Sequence, residues 1–472
     1  MKKRLVIYLI ILSSSLSAMA QTAHSFVLKN SADGESELTV YLPQNPSGRA
    51  IVDCPGGGYS HLAMNHEGHD WAKYFNAQGI TFCVLKYRMP KGDRNIPLSD
   101  AYQAIKIVRD SAQAWGVNPY DVGIMGFSAG GHLASSVSTH ADWAVRPNFT
   151  ILFYPVVTMG EGTHKGSRDN FLGGNRDDKQ LVRDWSNETQ VRSHLTPPAV
   201  IFLANDDQVV LPLPNGVAYY TAMRNQGINC SLYVYPSGGH GFGFRPEYTF
   251  HQQMLDELTM WLSTLPSPKK DAVRVACIGN SITDGSGIDL RDVNSYPAQM
   301  QKMLGPDYHV RNFGISARTL LNKGDRPYMR EAYWKDAQAF NPQVVVIKLG
   351  TNDSKTANWI YGREFGPDLQ QMIDTLRTLP AKPTVLLCTP IPAYKDSWTI
   401  NDSVIVNGII PIQKKLAKKN KLVLIDLHAE FQNQDGKQMQ HDGIHPTQAG
   451  AGQLAKIIAG YIKNQWEKSV ER

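Results

Sequence analysis

Val122-Gly123-Ile124-Met125-Gly126-Phe127-Ser128-Ala129-Gly130-Gly131 is an apolar run of strand length that ends in G-x-S-x-G and passes straight into a helical stretch. A serine between glycines at a strand-to-helix turn sits at the tip of a sharp, strained corner. Any side chain at the flanking positions would collide with the neighbouring strand or helix, so Ser128 Oγ is presented at the sheet edge as a candidate nucleophile. The same alternation of short β-branched runs with longer helical stretches recurs along the whole chain. It predicts α/β architecture, with parallel sheets covered by helices on both faces.

In the first half the predicted strands are 37–42, 50–54, 81–87, 122–126, 150–154, 199–204 and 231–235. Between them the clearest helix is predicted to start with Ser99 as its N-cap and to bury a stripe of Leu98, Ala101, Ile105, Val108, Ala112 and Trp115. Pro55-Gly56-Gly57-Gly58-Tyr59 follows a strand, and its glycines free the N–H groups of Gly57 and Gly58 to face a developing oxyanion, with the N–H of Ala129 as second donor. The base is expected late in the domain, at His240 in the glycine-rich loop after the last strand. The orienting carboxylate is expected after the penultimate strand, at Asp207, with Asp206 beside it as the alternative. His132 reads as a helix-packing residue, and His61, His66 and His69 lack the H-E-x-x-H spacing of a zinc helix, so no metal is expected.

These pieces, with His66-Glu67-Gly68, Tyr87-Arg88, Thr196-Pro197-Pro198, Asp207-Gln208-Val209-Val210 and His240-Gly241-Phe242, resemble the α/β-hydrolase superfamily over about residues 25–265. The likeness is to the esterase branch related to acetylxylan and feruloyl esterases. In that branch the acid precedes an x-Val-Val step, which implies Asp207 rather than Asp206.

Residues 265–271, with two prolines and three charges, read as a linker placed at 266–272. Beyond it the strands are expected at 273–278, 309–313, 344–349, 384–388 and 422–425, enough for a five-stranded parallel sheet in a three-layer sandwich. Four blocks follow in order: Gly279-Asn280-Ser281-Ile282-Thr283, Asn312-Phe313-Gly314, Gly350-Thr351-Asn352-Asp353 and Asp442-Gly443-Ile444-His445-Pro446. Together they resemble the SGNH (GDSL-like) hydrolases over about residues 273–466. The resemblance implies Ser281 as nucleophile, His445 as base and Asp442 as its orienting acid. The oxyanion would be met by the N–H groups of Ser281 and Gly314 and by the amide of Asn352. Two departures stand out: G-N-S replaces G-D-S, and Ala317 stands where a glycine often follows. Ser295-Tyr296-Pro297 and Asn358-Trp359 resemble carbohydrate or sialate O-acetylesterases. Trp334, Trp359 and Trp398 are available as sugar-stacking faces, although core packing is the commoner use of each.

Residues 1–20 carry a basic start, an apolar run over 5–12 and Ala18-Met19-Ala20, the pattern of a secretory leader, so a periplasmic or secreted location is expected. The apolar run is far short of the roughly 20 residues that span a bilayer, so no stable membrane insertion is expected. Of the formal charge of +6, Lys2, Lys3 and Arg4 in that leader supply three, and the remainder forms no basic stripe, which excludes nucleic-acid binding as a reading. The 5 cysteines are scattered without C-x-x-C spacing and read as buried thiols, with Cys54 and Cys83 left open as a pair. The expectation is a two-domain esterase needing no cofactor, removing O-acetyl groups, with feruloyl groups left open, from an acetylated oligo- or polysaccharide of the plant cell wall such as xylan, by two serine-nucleophile acyl-enzyme mechanisms. Two rivals are a sialate O-acetylesterase, and one live esterase joined to a silent glycan-binding domain. The oligomeric state is left open.

Overall fold

The computed structural model describes residues 24–432 and 437–470, with side chains described as far as residue 464. The leader pattern at 1–20 lies outside the described residues. In the first half eight strands form one sheet: β1 (His24–Lys29), β2 (Glu37–Leu42), β3 (Ala50–Cys54), β4 (Thr81–Lys86), β5 (Val122–Phe127), β6 (Thr150–Phe153), β7 (Ala199–Ala204) and β8 (Cys230–Tyr235). Their order is β1-β2-β4-β3-β5-β6-β7-β8. β2 pairs antiparallel with both β1 and β4, and every other pairing is parallel. The second sheet holds β9 (Val273–Gly279), β10 (Tyr308–Gly314), β11 (Val344–Lys348), β12 (Thr384–Cys388) and β13 (Val423–Ile425), all parallel, in the order β10-β9-β11-β12-β13.

Central strands are apolar on both sides because helices cover both faces. In the first sheet Val52, Ile124, Leu152 and Ile201 pack on the helices carrying Leu98, Ile105, Leu133 and Val137. On the opposite face Ile51, Met125, Ile151 and Val200 pack on Trp71, Phe75, Leu258 and Trp261. The second sheet repeats the scheme, Val345, Ile347 and Leu387 facing Leu369, Met372 and Leu376 while Val344, Val346 and Leu386 face Tyr296, Met300, Leu454 and Ile458. All five cysteines are buried and free, Cys54 and Cys83 included.

Two local expectations are corrected. β1 has no counterpart in the sequence reading: it is an edge strand, half-buried only at Phe26 and Leu28, and the exposed Val27 between them hides its alternation in the sequence. The helix expected to be capped by Ser99 spans Asn95–Asp110. Asp93 accepts the Asn95 N–H just upstream at 3.0 Å, and Pro97 sits in the first turn, where a missing N–H costs nothing. Ser99 instead bonds back to the Ile96 carbonyl at 2.7 Å.

The two halves share a packed boundary. Trp143 lies 5.7 Å from Phe313 and 5.5 Å from Phe340, ring centre to ring centre, and Leu195 joins the apolar core of the second half. Arg146 Nη1 meets Asp336 Oδ2 at 2.8 Å with both side chains almost out of solvent. The Pro268 carbonyl of the connecting segment accepts from Asn118 Nδ2. Both candidate serines come at the carboxyl ends of parallel strands, where loops gather side chains from several elements.

Candidate active sites

Ser128 is the first residue of helix Ser128–His140, directly after β5, and its φ is +50°. A non-glycine residue in this region carries strain of order 1–3 kcal/mol, held here by its surroundings. The flanking glycines are required by contact: a Cβ at Gly126 would lie 2.2 Å from the Gly130 carbonyl oxygen, and one at Gly130 would lie 2.0 Å from that of Cys54.

His240, in the loop after β8, brings Nε2 to 2.9 Å from Ser128 Oγ, while its Nδ1 lies 2.7 Å from Asp207 Oδ2. A carboxylate opposite Nδ1 fixes the proton there, leaving Nε2 free to accept from the serine hydroxyl. The other oxygen of Asp207 accepts the N–H groups of Val209 and Val210 at 2.8 and 3.0 Å. Asp206 turns the other way, is exposed, and accepts the N–H of Gly239 at 2.7 Å and of Gly238 at 3.3 Å, so it shapes the histidine loop from outside.

The Gly56–Gly58 loop packs on the nucleophile: a Cβ on Gly56 would sit 2.9 Å from Ser128 Cβ. Gly57 has φ +136° and Gly58 φ +63°, and neither N–H has an acceptor among the described residues. Ala129 lies in the uncapped first turn of its helix, where N–H groups have no intrahelical partner. The sequence reading missed how this loop is held. Glu67 accepts the Gly56 N–H at 2.9 Å and the Tyr154 hydroxyl at 2.8 Å, and the Tyr154 oxygen in turn accepts the Gly243 N–H at 3.0 Å. One buried relay therefore joins the oxyanion loop to the histidine loop, and the Tyr154 ring stands edge-on to His240 at 4.9 Å. His164, also missed, lies at the rim with its Cε1 3.7 Å from the Cβ position of Gly58. Burial lowers its imidazole pKa, and His240 adds to the effect.

His132 is fully buried, as packing residues are, and it is hydrogen-bonded on both sides: Nδ1 to the Tyr59 hydroxyl at 2.9 Å and Nε2 to the Trp185 carbonyl at 2.9 Å.

The second serine, Ser281, begins the single helical turn Ser281–Asp284 after β9, capped by Asn280, whose side chain accepts the Ile282 N–H at 3.1 Å. His445 Nε2 lies 2.8 Å from Ser281 Oγ, and its Nδ1 lies 2.8 Å from Asp442 Oδ2. Asp442 Oδ1 accepts the N–H groups of Ile444 and His445 at 2.8 and 2.9 Å, which explains how a spacing of three serves one loop. Partial burial works to raise the Asp442 carboxyl, but the hydrogen bonds from His445 and Ile444 hold it below the usual carboxylate range.

Gly314 departs from expectation. Its N–H donates to Asn312 Oδ1 at 2.8 Å and is not available to an oxyanion. Asn312 Nδ2 meanwhile reaches the Thr283 carbonyl at 2.8 Å, so the asparagine ties β10 to the nucleophile turn. The glycine is needed for a different reason, since a Cβ there would lie 2.3 Å from the Asp284 nitrogen. Further along the same loop, the N–H of Ala317 has no acceptor among the described residues, and the residue stands at φ +65°. Ala317 is held between Ser316, whose hydroxyl bonds Asp284 Oδ2 at 2.9 Å, and Arg318, whose carbonyl accepts from Asn352 Nδ2 at 3.1 Å. The signal was present in the sequence as the residue standing in a glycine's place.

Of the three tryptophans, Trp334 is buried and Trp359 packs edge-on to Phe365 at 6.1 Å. Trp398 is 58% exposed and stands edge-on to the His445 ring at 5.6 Å.

Two family models match the chain: the alpha/beta hydrolase fold over residues 51–244 and the GDSL-like Lipase/Acylhydrolase family over residues 277–452. An acetylxylan esterase of Xylanibacter ruminicola is 56% identical over 473 residues, covering 96% of this chain and 98% of that protein. Endo-1,4-beta-xylanase B of Butyrivibrio fibrisolvens is 36% identical over 220 residues, 43% of this chain and 34% of that protein. Among solved structures, an acetyl ester-xyloside bifunctional hydrolase from Caldicellulosiruptor lactoaceticus is 30% identical, covers 52% of this chain and 98% of its own, and aligns with a TM-score of 0.47.

Proposed function

This chain belongs to the family of the Xylanibacter ruminicola acetylxylan esterase and is a serine carboxylic ester hydrolase; on that premise we propose that it deacetylates xylan through two separate acyl-enzyme centres. The observation that carries the reading is the presence, in one chain, of two complete Ser–His–Asp hydrogen-bonded series.

In the first centre Ser128 Oγ attacks the acetyl carbonyl as His240 Nε2 takes its proton, and Asp207 holds the imidazole that becomes charged. The N–H groups of Gly57, Gly58 and Ala129 meet the oxyanion. Collapse expels the sugar hydroxyl, protonated by His240, and leaves acetyl-Ser128. Water, deprotonated by the same histidine, then releases acetate and restores the serine. In the second centre Ser281, His445 and Asp442 take these roles, with the N–H groups of Ser281 and Ala317 and the amide of Asn352 as oxyanion donors. Neither sequence of steps draws on a metal or organic cofactor.

The exposed face of Trp398 beside His445 favours a sugar ring as the leaving group of the second centre. We take the division to run as 25–265, 266–272 and 273–466, supported by the end of helix His251–Thr264 and the start of β9 at Val273. Export belongs to the same reading and is supported by the leader pattern at 1–20; among the described residues no helix is long and apolar enough to cross a membrane. Acetate release from acetylated xylooligosaccharides, set against O-acetyl sialic acid, tests the substrate class. Xylan-derived esters are expected to turn over at least tenfold faster, and Trp398→Ala is expected to raise KM severalfold on the oligosaccharide but not on a small aryl acetate. Preference for the sialate ester would reject the reading.

A further inference from the structure

Asp284 ends the helical turn that Ser281 begins, and its carboxylate gathers more partners than a surface aspartate needs. Oδ2 accepts from Arg291 Nη1 at 2.6 Å, from Ser286 Oγ at 2.7 Å and from Ser316 Oγ at 2.9 Å. The last of these ties the nucleophile turn to the loop that carries Ala317. The remaining oxygen is met from the other half of the molecule: His194 Nε2 lies 3.1 Å from Asp284 Oδ1 and 3.0 Å from the Asp284 main-chain carbonyl oxygen.

Both of those oxygens are acceptors only, so Nε2 carries a proton and donates to the pair. The contact is sealed, with the His194 side chain 2% and the Asp284 side chain 5% exposed. His194 stands at φ +59°, a strained conformation for a residue with a Cβ, so its neighbours must over-determine it. They do: the Ser193 carbonyl accepts the Tyr333 hydroxyl at 2.8 Å, and Leu195 is buried in the core of the second half. Three consecutive residues that lead into β7 of the first sheet are thus seated in the second. A one-turn helix has no spare internal bonds to fix its C-terminal carbonyls, and here the missing donor comes from another domain.

We propose that His194 is a positioning residue of the second active site, supplied by the first domain, and that the second domain is incomplete as an enzyme without it. The proposal rests on the reading of Ser281 as a nucleophile. His194 touches no substrate; it acts through Asp284, fixing the turn that aims Ser281 Oγ at His445 and keeping that turn in register with the Ala317 loop.

The test uses the full chain in a Ser128→Ala background, so that only the second centre turns over. His194→Ala and His194→Phe remove the donor, the second while filling the space. His194→Gln keeps an N–H at the position of Nε2. Misplacement of a nucleophile by an ångström costs on the order of 100-fold, so kcat is expected to fall about 10- to 100-fold in the Ala and Phe variants with KM changed less than about twofold. The Gln variant is expected to recover to within about threefold, and first-centre turnover, measured in a Ser281→Ala background, is expected to stay unchanged. Full kcat in all three variants would overturn the proposal. So would a Gln variant as impaired as Ala, because the effect would then be packing rather than the donated bond. A Ser128→Ala parent with no turnover would overturn the two-centre reading itself, and this proposal with it.

Discussion

Adjacent carboxylates at 206 and 207 face opposite ways, and their backbone partners explain why: the Val209 and Val210 N–H groups turn Asp207 inward onto His240, while Gly238 and Gly239 hold Asp206 outside. Asp207→Asn keeps the shape but offers the imidazole the wrong partner. It is expected to lower first-centre kcat by up to about 10⁴-fold, the size of effect found for such a substitution in a serine protease triad. Asp206→Asn should cost less than about tenfold; equal losses in a Ser281→Ala background would reject the assignment. His132 carries a prediction of another kind. Burial depresses its pKa from 6.5 to about 4, the Trp185 carbonyl working against that. The unfolded chain therefore binds a proton that the fold refuses between those values. The stability this confers is present above pH 6.5 and is lost as pH falls toward 4, about 2 kcal/mol of it between pH 7 and 5. Urea midpoints at the two pH values should differ by less in His132→Gln than in the wild type. That Asp207 was legible in the sequence and His132's two hydrogen bonds were not has one cause. The first depends on the next three residues, the second on Tyr59 and Trp185, far away in the chain.

Elements announced themselves where apolar runs are long and central. The strand-turn-helix around Ser128 was readable because β5 is buried on both faces and its glycines have nowhere else to go. β1 was missed because an exposed edge strand needs little apolar surface, and the start of helix Asn95–Asp110 because Asp93 and Pro97 do the work expected of Ser99. In the second half, the order of blocks located Ser281, Asn352, Asp442 and His445, but not which N–H of the 312–318 stretch is free. Asn312 takes the N–H of Gly314, and that of Ala317 is among those left without an acceptor among the described residues. Ala317, at φ +65°, is strained. Ala317→Gly is expected to stabilise the protein by about 0.5–1 kcal/mol, seen as a raised denaturation midpoint, without lowering second-centre kcat. Asn352→Ala should lower that kcat by about 10²- to 10³-fold through loss of an oxyanion donor.

Across the whole molecule, what the sequence divides at a proline-rich linker the fold joins again. Arg146, Asp336, Trp143 and Leu195 belong to segments that look unrelated in the chain, and nothing local marks them as a boundary. Breaking the nearly buried Arg146–Asp336 pair leaves a charge without its partner, a change that costs about 3–5 kcal/mol when burial is complete and somewhat less here. Calorimetry should find one unfolding transition in the wild type and two in Arg146→Ala; two transitions in the wild type would mean that the halves fold separately. The claim that gives this architecture its purpose is that both serines are at work on one polymer. It is tested most directly by following acetate loss from acetylated xylooligosaccharides by NMR, position by position, with the wild type, Ser128→Ala, Ser281→Ala and the double variant. Each single variant is expected to keep part of the activity and to lose a different set of acetyl positions, and the double variant is expected to release none. A single substitution that abolishes all release, or one that changes nothing at any position, would contradict two working centres.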